Sequence, residues 1–208
     1  MKIAIIGAGR LGSALGGRLA AAGHLITFAG ASGTAREAAQ RTPGSSAAGT
    51  TVAVSASELV VLAVPYAAIG EALRDAGGFD GRILWSCVNA LKPDISGLAV
   101  GFTTSAAEEV AARAPSARVV AAVPPFADQL TLGTPLIGGR APTVFCCSDD
   151  SQAKATVAGL VRQLGADPAD AGPLAASRLV EPAMMLLVAL TYATTPPRVH
   201  GLALLRAD

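Results

Sequence analysis

A glycine-rich turn near the start of the chain limits the possible folds more than any other feature. The apolar run Lys2–Ile6, which predicts a strand, leads into Gly7-Ala8-Gly9-Arg10-Leu11-Gly12, and a helix is predicted over Arg10–Ala22. Glycines at this spacing allow a tight turn, a close approach of backbone amides to a diphosphate, and close packing of helix on strand. The anion would lie on the helix N-terminus, where unpaired N–H groups favour negative charge. We therefore predict a dinucleotide site; a purely structural turn is the alternative.

Short β-type runs alternate with longer helical runs along the rest of the chain. The predicted strands are Lys2–Ile6, Leu25–Ala29, Thr51–Val54, Leu59–Val64, Arg82–Ser86, Arg118–Val123 and Thr143–Cys147, with an extended piece near Asp167–Asp170. The predicted helices are Arg10–Ala22, Thr34–Arg41, Tyr66–Ala76, Ala106–Arg113, Gln152–Leu164 and a last helical region from Leu174, with a loop over Pro43–Ser46. Such alternation implies parallel strands joined by right-handed crossovers.

These elements predict an α/β fold, a doubly wound, mostly parallel sheet of Rossmann type with a C-terminal helical segment. We expect a single domain over residues 1–208. Residues 1–123 would form its dinucleotide-binding core and residues 124–208 a C-terminal extension that carries a dimer and substrate helix.

Composition argues against several classes of function. Residues AVILMFWYC make up 51% of the 208-residue chain and charged residues 15%, which excludes disorder. Sixteen basic and fifteen acidic side chains are scattered, so no nucleic-acid surface is expected. The longest uncharged apolar stretch, Pro182–Pro196, is shorter than the roughly 20 residues that span a bilayer. Three cysteines with no CxxC motif give no metal site. We expect a cytoplasmic protein without a membrane segment.

The residues after the second strand bear on which dinucleotide is bound. An NAD site usually carries Asp or Glu there to hold the ribose 2′-hydroxyl, whereas this chain has no carboxylate until Glu37. Ser32, Thr34, Arg36 and Arg10 are candidate donors to a 2′-phosphate. The pattern favours NADP, with NAD still possible; ordinary helix-start residues are the alternative.

Open doubly wound sheets bind ligands beyond the carboxyl ends of their strands. The glycine turn, Val64–Tyr66, Ser86–Asn89 and Val123–Phe126 should therefore line one crevice. The candidate substrate contacts in these segments are Tyr66, Cys87, Asn89, Pro124 and Pro125.

Each polar candidate has a structural alternative. Tyr66 would stack on a ligand, hydrogen-bond to it, or pack in the core. Asn89 would contact substrate or stabilise its loop, and for Cys87 we favour simple packing over a reactive thiol. The sequence offers no Ser/His/Asp or Cys/His set, so no catalytic residue is predicted. Hydride transfer between two planar cofactors demands little of side chains.

The two histidines and the final helix complete the expectations. His24 should be structural, at the opposite end of the sheet, and His200 a surface or subunit contact, although a tail folded over the cleft would make it a proton donor. Arg178 and Glu181, three residues apart, should pair, and Pro182 should kink or restart the helix. The apolar run that follows should pack against a second subunit, giving a homodimer, and could roof the crevice.

The chain resembles the NADP-dependent reductases of the deazaflavin coenzyme F420 and their bacterial relatives. The resemblance lies in GAGRLGSALGGRLAAAGH, LAVPYAAIGEAL, TTSAAEEVAARAPSARVV and ADPADAGPLAASRLVEPAMMLLVAL. It implies a dimer that moves hydride between NADP and a deazaflavin, with Gly7–Gly12 at the phosphates and Val64 and Pro65 beside the cofactor. Three places differ from the family: Gly30-Ala31 stands for Ser-Arg, Ser86–Ala90 for Asp-Ala-Thr-Asn-Pro, and Pro124-Pro125 for Asn-Thr or His-Thr.

The leading hypothesis is an NAD(P)H-dependent oxidoreductase whose partner is a small-molecule substrate or second redox cofactor. That acceptor would be a deazaflavin such as coenzyme F420, or another small planar molecule such as a flavin, imine or ketone. One alternative is a dinucleotide-binding sensor or accessory protein without turnover. The other is an imine or carbonyl reductase, which needs a proton source such as Tyr66, Cys87 or an ordered water.

Overall fold

The computed structural model describes residues 1–30, 33–124, 127–131 and 136–205. Its strands are β1 Lys2–Ile6, β2 Leu25–Ala29, β3 Ser46–Ala48, β4 Leu59–Leu62, β5 Ile83–Ser86, β6 Arg118–Ala121, β7 Thr143–Cys147 and β8 Asp167–Gly172. They form one eight-stranded sheet in the order β3-β2-β1-β4-β5-β6-β7-β8. All neighbouring strands run parallel except β6 and β7, which pair antiparallel. The predicted Rossmann-type, mostly parallel sheet is confirmed.

Helices cover both faces of this sheet. They are α1 Arg10–Ala21, α2 Gly33–Arg41, α3 Thr50–Ser55, α4 Ile69–Ala76, α5 Ala106–Arg113, α6 Ala127–Thr131, α7 Ser151–Gln163 and α8 Ser177–Tyr192, with short 3-10 turns at Tyr66–Ala68 and Leu174–Ala176. Side chains of β1 alternate between the two faces: Ile3 and Ile5 pack toward α1, α2 and α7, whereas Ala4 and Ile6 pack toward α3, α4 and α5. Two apolar layers therefore fix the sheet in the middle of the fold.

The predicted third strand is wrong. Thr51–Val54 lies inside α3, and the third strand is Ser46–Ala48, partly within the predicted loop. The β-branched residues of this run favour a strand, but strand preference depends on packing. Ala53 and Val54 are adjacent and both buried against one side, which suits a helix rather than the alternation of a half-buried strand.

The predicted pair between Arg178 and Glu181 is also wrong, because both side chains reach α5. Arg178 forms a bidentate salt bridge with Glu108, with Nη2 at 2.6 Å from Oε1 and Nε at 2.9 Å from Oε2. The buried Glu181 carboxylate accepts the backbone N–H groups of Ala106 at 2.9 Å and Ala107 at 3.1 Å. The first N–H groups of a helix have no acceptor within the helix. The N-terminus of α5 therefore binds the Glu181 carboxylate.

The final helix runs through Pro182 without a break, so it does not restart there. The 19-residue segment Leu174–Tyr192 is long and apolar enough to cross a membrane by length and composition alone, with 28% of it buried. This is weak evidence, because a helix that packs on other protein passes the same test. Its first half carries Arg178 and Glu181, both bonded to α5.

Candidate active site

A crevice of about 600 Å³ opens at the carboxyl ends of the central strands. Segments that follow β1, β4, β5 and β6 line it: Gly9–Leu11, Ala63–Ala67, Cys87–Asn89 and Val123–Pro124. The structure therefore brings together the four segments that the sequence predicted to meet. Two predicted strands end early, β4 at Leu62 and β6 at Ala121, which leaves Val64 and Val123 in the loops that form the wall.

The glycine turn has one crowded side and one open side. Gly7 has a φ of 99°, and a Cβ there would overlap the backbone of Ala63. A Cβ at Gly12 would overlap the Gly7 carbonyl oxygen, so helix and strand need this close approach. A Cβ at Gly9, in contrast, would meet nothing within 4 Å. Gly9 faces open space beside the start of α1.

That open space suits an anion. Gly9 is the N-cap of α1, and the first N–H groups of a helix have no acceptor within the helix itself. The Ser13 hydroxyl donates to the Ala8 carbonyl oxygen at 2.9 Å, and this hydrogen bond stabilises the conformation of the turn. Amides held in this way, at the positive end of a helix dipole, bind a phosphate or diphosphate.

Three of the four candidate donors to a 2′-phosphate lie within the described residues, and all three are exposed. Thr34 and Arg36 are exposed in the first turn of α2, just beyond the carboxyl end of β2, and Arg10 is exposed at the start of α1. Ser32 lies outside the described residues. The carboxylate of Glu37 lies 3.7 Å from the Arg41 guanidinium, one turn further along α2.

Tyr66 and Cys87 both line the crevice, but neither is a ready proton donor. The Tyr66 hydroxyl donates to Glu109 Oε1 at 2.8 Å. Burial and this hydrogen bond raise the pKa of the Tyr66 hydroxyl. Burial raises the pKa of the Cys87 thiol well above its ordinary value, so its thiolate is disfavoured. The geometry supports packing as the role of Cys87.

Asn89 is the polar candidate that the geometry favours most. Its Oδ1 is buried and has no hydrogen-bond partner among the described residues. Backbone bonds hold its loop on both sides, from Cys87 N–H to the Leu62 carbonyl at 3.0 Å and from Ala99 N–H to the Ala90 carbonyl at 2.7 Å. A buried carbonyl oxygen without a partner costs about 1–3 kcal/mol.

The structure describes one of the two prolines that were predicted to contact substrate. Pro124 is buried and lines the crevice, whereas Pro125 lies outside the described residues. Met184 and Leu187 of α8 form part of the wall, in line with the expected roof. Sequence reasoning missed the contributions of Leu91 and Ile95, because they come from an irregular loop without periodicity.

The two histidines differ in position. His24 lies at the amino end of β2, and its Nε2 is 2.6 Å from Gln163 Oε1, which agrees with a structural role. His200, expected on the surface or at a subunit contact, instead lines the crevice. The chain after α8 folds back along the start of β7, where Thr143 N–H donates to the Leu202 carbonyl at 2.7 Å. Because the chain folds back in this way, the imidazole of His200 lies in the wall of the crevice.

Comparisons with known proteins found a matching family model and similar solved structures. The family model described as NADP oxidoreductase, coenzyme F420-dependent, matches residues 2–90. A candidate F420-dependent NADP reductase from Arthrobacter sp. FB24 is 30% identical, with a TM-score of 0.79 over 90% of this chain and 91% of its own. A hypothetical protein from Sinorhizobium meliloti is also 30% identical, with a TM-score of 0.74 over 86% and 88% of the two chains.

More distant structures share the fold alone. A reductive aminase from Aspergillus terreus, solved in complex with NADPH and ethyl-5-oxohexanoate, is 20% identical, with a TM-score of 0.64 over 89% of this chain and 60% of its own. No curated protein sequence matches the chain significantly.

Proposed function

This chain belongs to the family of coenzyme F420-dependent NADP oxidoreductases, and on that basis we propose that it moves a hydride between NADP and a deazaflavin-like planar acceptor. The chain is an NAD(P)-dependent oxidoreductase. We propose the identity of its acceptor and the roles of its site residues. The main support for this proposal is the open space beside Gly9. Gly9 lines an apolar crevice whose wall also includes Asn89, with its buried side-chain oxygen.

The residues present fit a nicotinamide dinucleotide. Backbone amides of Gly9–Gly12 would hold the diphosphate, because the space beside Gly9 is open and α1 starts there. Thr34 and Arg36, with Arg10, would hold a 2′-phosphate, and Val64 and Pro65 would flank the nicotinamide. When bound, this cofactor supplies or takes up the hydride.

The acceptor side of the crevice is suited to a flat ring that carries an amide N–H. Apolar side chains of Leu91, Ile95, Met184 and Leu187 would exclude water and sandwich the ring. Asn89 Oδ1 would accept the ring N–H and so fix the orientation of the ring. A deazaflavin offers such a cyclic amide, and a simple ketone does not.

Steady-state kinetics with several acceptors tests the assignment. We expect the protein to oxidise NADPH with F420 and to be much slower with a cyclic imine, which lacks the ring amide. Asn89→Leu should lower kcat/KM for F420 by about 10-fold to 100-fold, because one buried hydrogen bond is lost, and leave the Kd for NADPH unchanged. Tight NADPH binding without consumption by any acceptor would favour a sensor. Faster turnover with the imine would favour an imine reductase.

We also propose that the protein is a cytoplasmic homodimer joined through α8. Leu179, Leu186 and Leu190 are 71%, 57% and 43% exposed in the single chain, so the helix that should pack against a second subunit has an uncovered apolar face. Sedimentation velocity should give a dimer, and Leu186→Glu with Leu190→Glu should give a monomer. A monomeric wild-type protein at micromolar concentration would refute the dimer.

A further inference from the structure

The segment after α8 holds an imidazole in the crevice wall by specific contacts. Leu204 N–H donates to Thr143 Oγ1 at 2.9 Å, next to the backbone bond between Thr143 and Leu202. Gly201 packs so tightly that a Cβ there would come within 2.6 Å of Ile137 Cδ1. His200, directly before this glycine, is therefore held where its ring lines the cavity.

One ring nitrogen of His200, Nδ1, is buried and has no hydrogen-bond partner among the described residues. Buried side-chain nitrogens and oxygens in folded proteins are nearly always bonded, so such an atom in a ligand crevice points to a ligand as the missing partner. In His24, by comparison, both ring nitrogens have neighbours: Gln163 Oε1 at 2.6 Å and the N-terminal amine at 3.3 Å.

Reduction of a planar ring by hydride needs a proton as well. The described titratable side chains that line the crevice beside His200 are Arg10, Tyr66, Cys87, Lys92 and Tyr192. The Tyr66 hydroxyl is already donated to Glu109, burial raises the pKa of Cys87, and a guanidinium does not release its proton. Lys92 and Tyr192 are both exposed to solvent. An imidazole both gives and takes a proton near neutral pH.

We propose that His200 is a catalytic residue that exchanges the proton accompanying the hydride, an inference that rests on the proposed function. During acceptor reduction the N–H bond of the His200 imidazolium breaks, and the proton bonds to a nitrogen of the acceptor ring. The electron pair arrives with the hydride from the reduced nicotinamide, so one NADPH and one proton are consumed per acceptor. His200 then regains a proton from water at the crevice mouth. In the reverse direction the neutral imidazole takes the proton up.

Side-chain NMR tests the contact without turnover, since the chain has only two histidines. In ¹⁵N-labelled protein, NADP⁺ together with oxidised F420 should shift the ring signals of His200 and leave those of His24 unchanged. A His200→Gln variant assigns the signals. Unmoved His200 signals at saturating NADP⁺ and F420 would overturn the proposal.

Kinetics tests the proton transfer itself. His200→Gln should lower kcat for F420 reduction by about 100-fold or more, the usual contribution of a general acid, and flatten the pH profile of kcat. The Kd for NADPH should stay the same, His24→Gln should behave as wild type, and added imidazole should partly rescue His200→Ala.

The possible failures are distinguishable. If His200→Gln keeps the wild-type kcat and pH profile with F420, the role of the histidine is refuted while the proposed function stands. If the wild-type protein consumes no NADPH with any acceptor, both are refuted.

Discussion

Replacing Gly9 by valine should separate nucleotide binding from folding. Gly9 has φ −72° and ψ −165°, which any L-residue adopts, and its missing Cβ would meet no atom within 4 Å. The added side chain would therefore project into the space that we assign to the diphosphate. We expect a folded protein that no longer binds NADPH tightly.

The magnitudes follow from the contacts at stake. A hydrogen bond to a charged group contributes about 1.5–3 kcal/mol, so displacing the diphosphate from one or two amides should cost about 3 kcal/mol. This corresponds to a rise of about 150-fold in the Kd for NADPH. The free energy of unfolding should fall by about 1 kcal/mol, because valine is a much poorer N-cap than glycine, and the protein should stay folded.

Titration calorimetry with NADPH and urea unfolding measure the two effects. Gly17→Ala is the matched control on the same helix: its Cβ would also meet nothing within 4 Å, and we expect unchanged binding and a gain of about 0.5–1 kcal/mol. Gly12→Ala should instead destabilise the fold by about 1–3 kcal/mol, because its Cβ would overlap the Gly7 carbonyl. A folded Gly9→Val protein with the wild-type Kd would refute the assignment of the turn.

Three further perturbations test other contacts. Arg36→Ala should raise the Kd for NADPH at least about 10-fold and leave that for NADH unchanged; an equal loss of both would exclude a 2′-phosphate contact. Glu181→Gln should lower the free energy of unfolding in urea by about 1–3 kcal/mol, because an NH2 donor replaces one of the two oxygens that each accept an α5 N–H group; an unchanged midpoint would contradict this. The Arg178 guanidinium holds the pKa of Glu108 below its ordinary value, so the pair stabilises the fold above that ordinary value and the effect is lost as pH falls through the lowered one. Arg178→Met should therefore be less stable than wild type at neutral pH and equal to it in acid, and a deficit that persists in acid would argue against the pair.

The central part of the fold could be predicted from local patterns. The bounds of β1, β2 and β7 were predicted correctly, because each is a short run rich in apolar residues that ends in turn-forming or polar residues. The glycine turn was also predicted, since its glycines stand between an apolar strand and a helix, as such a turn requires.

The errors came where tertiary contacts outweigh local preference. β3, Ser46–Ala48, has no β-branched residue and is recognisable only from its pairing with β2. Glu181 looked like a surface partner at helical spacing, but the start of α5 lies next to it in space. The position of His200 depends on a chain reversal after α8 and on a contact with Thr143, and no local pattern encodes these.

A crystal structure with NADP⁺ bound tests the central claim most directly. We predict the diphosphate on the amides of Gly9–Gly12 and the nicotinamide in the crevice, beside Val64 and Pro65. Nucleotide bound elsewhere, with the glycine turn vacant, would contradict the account.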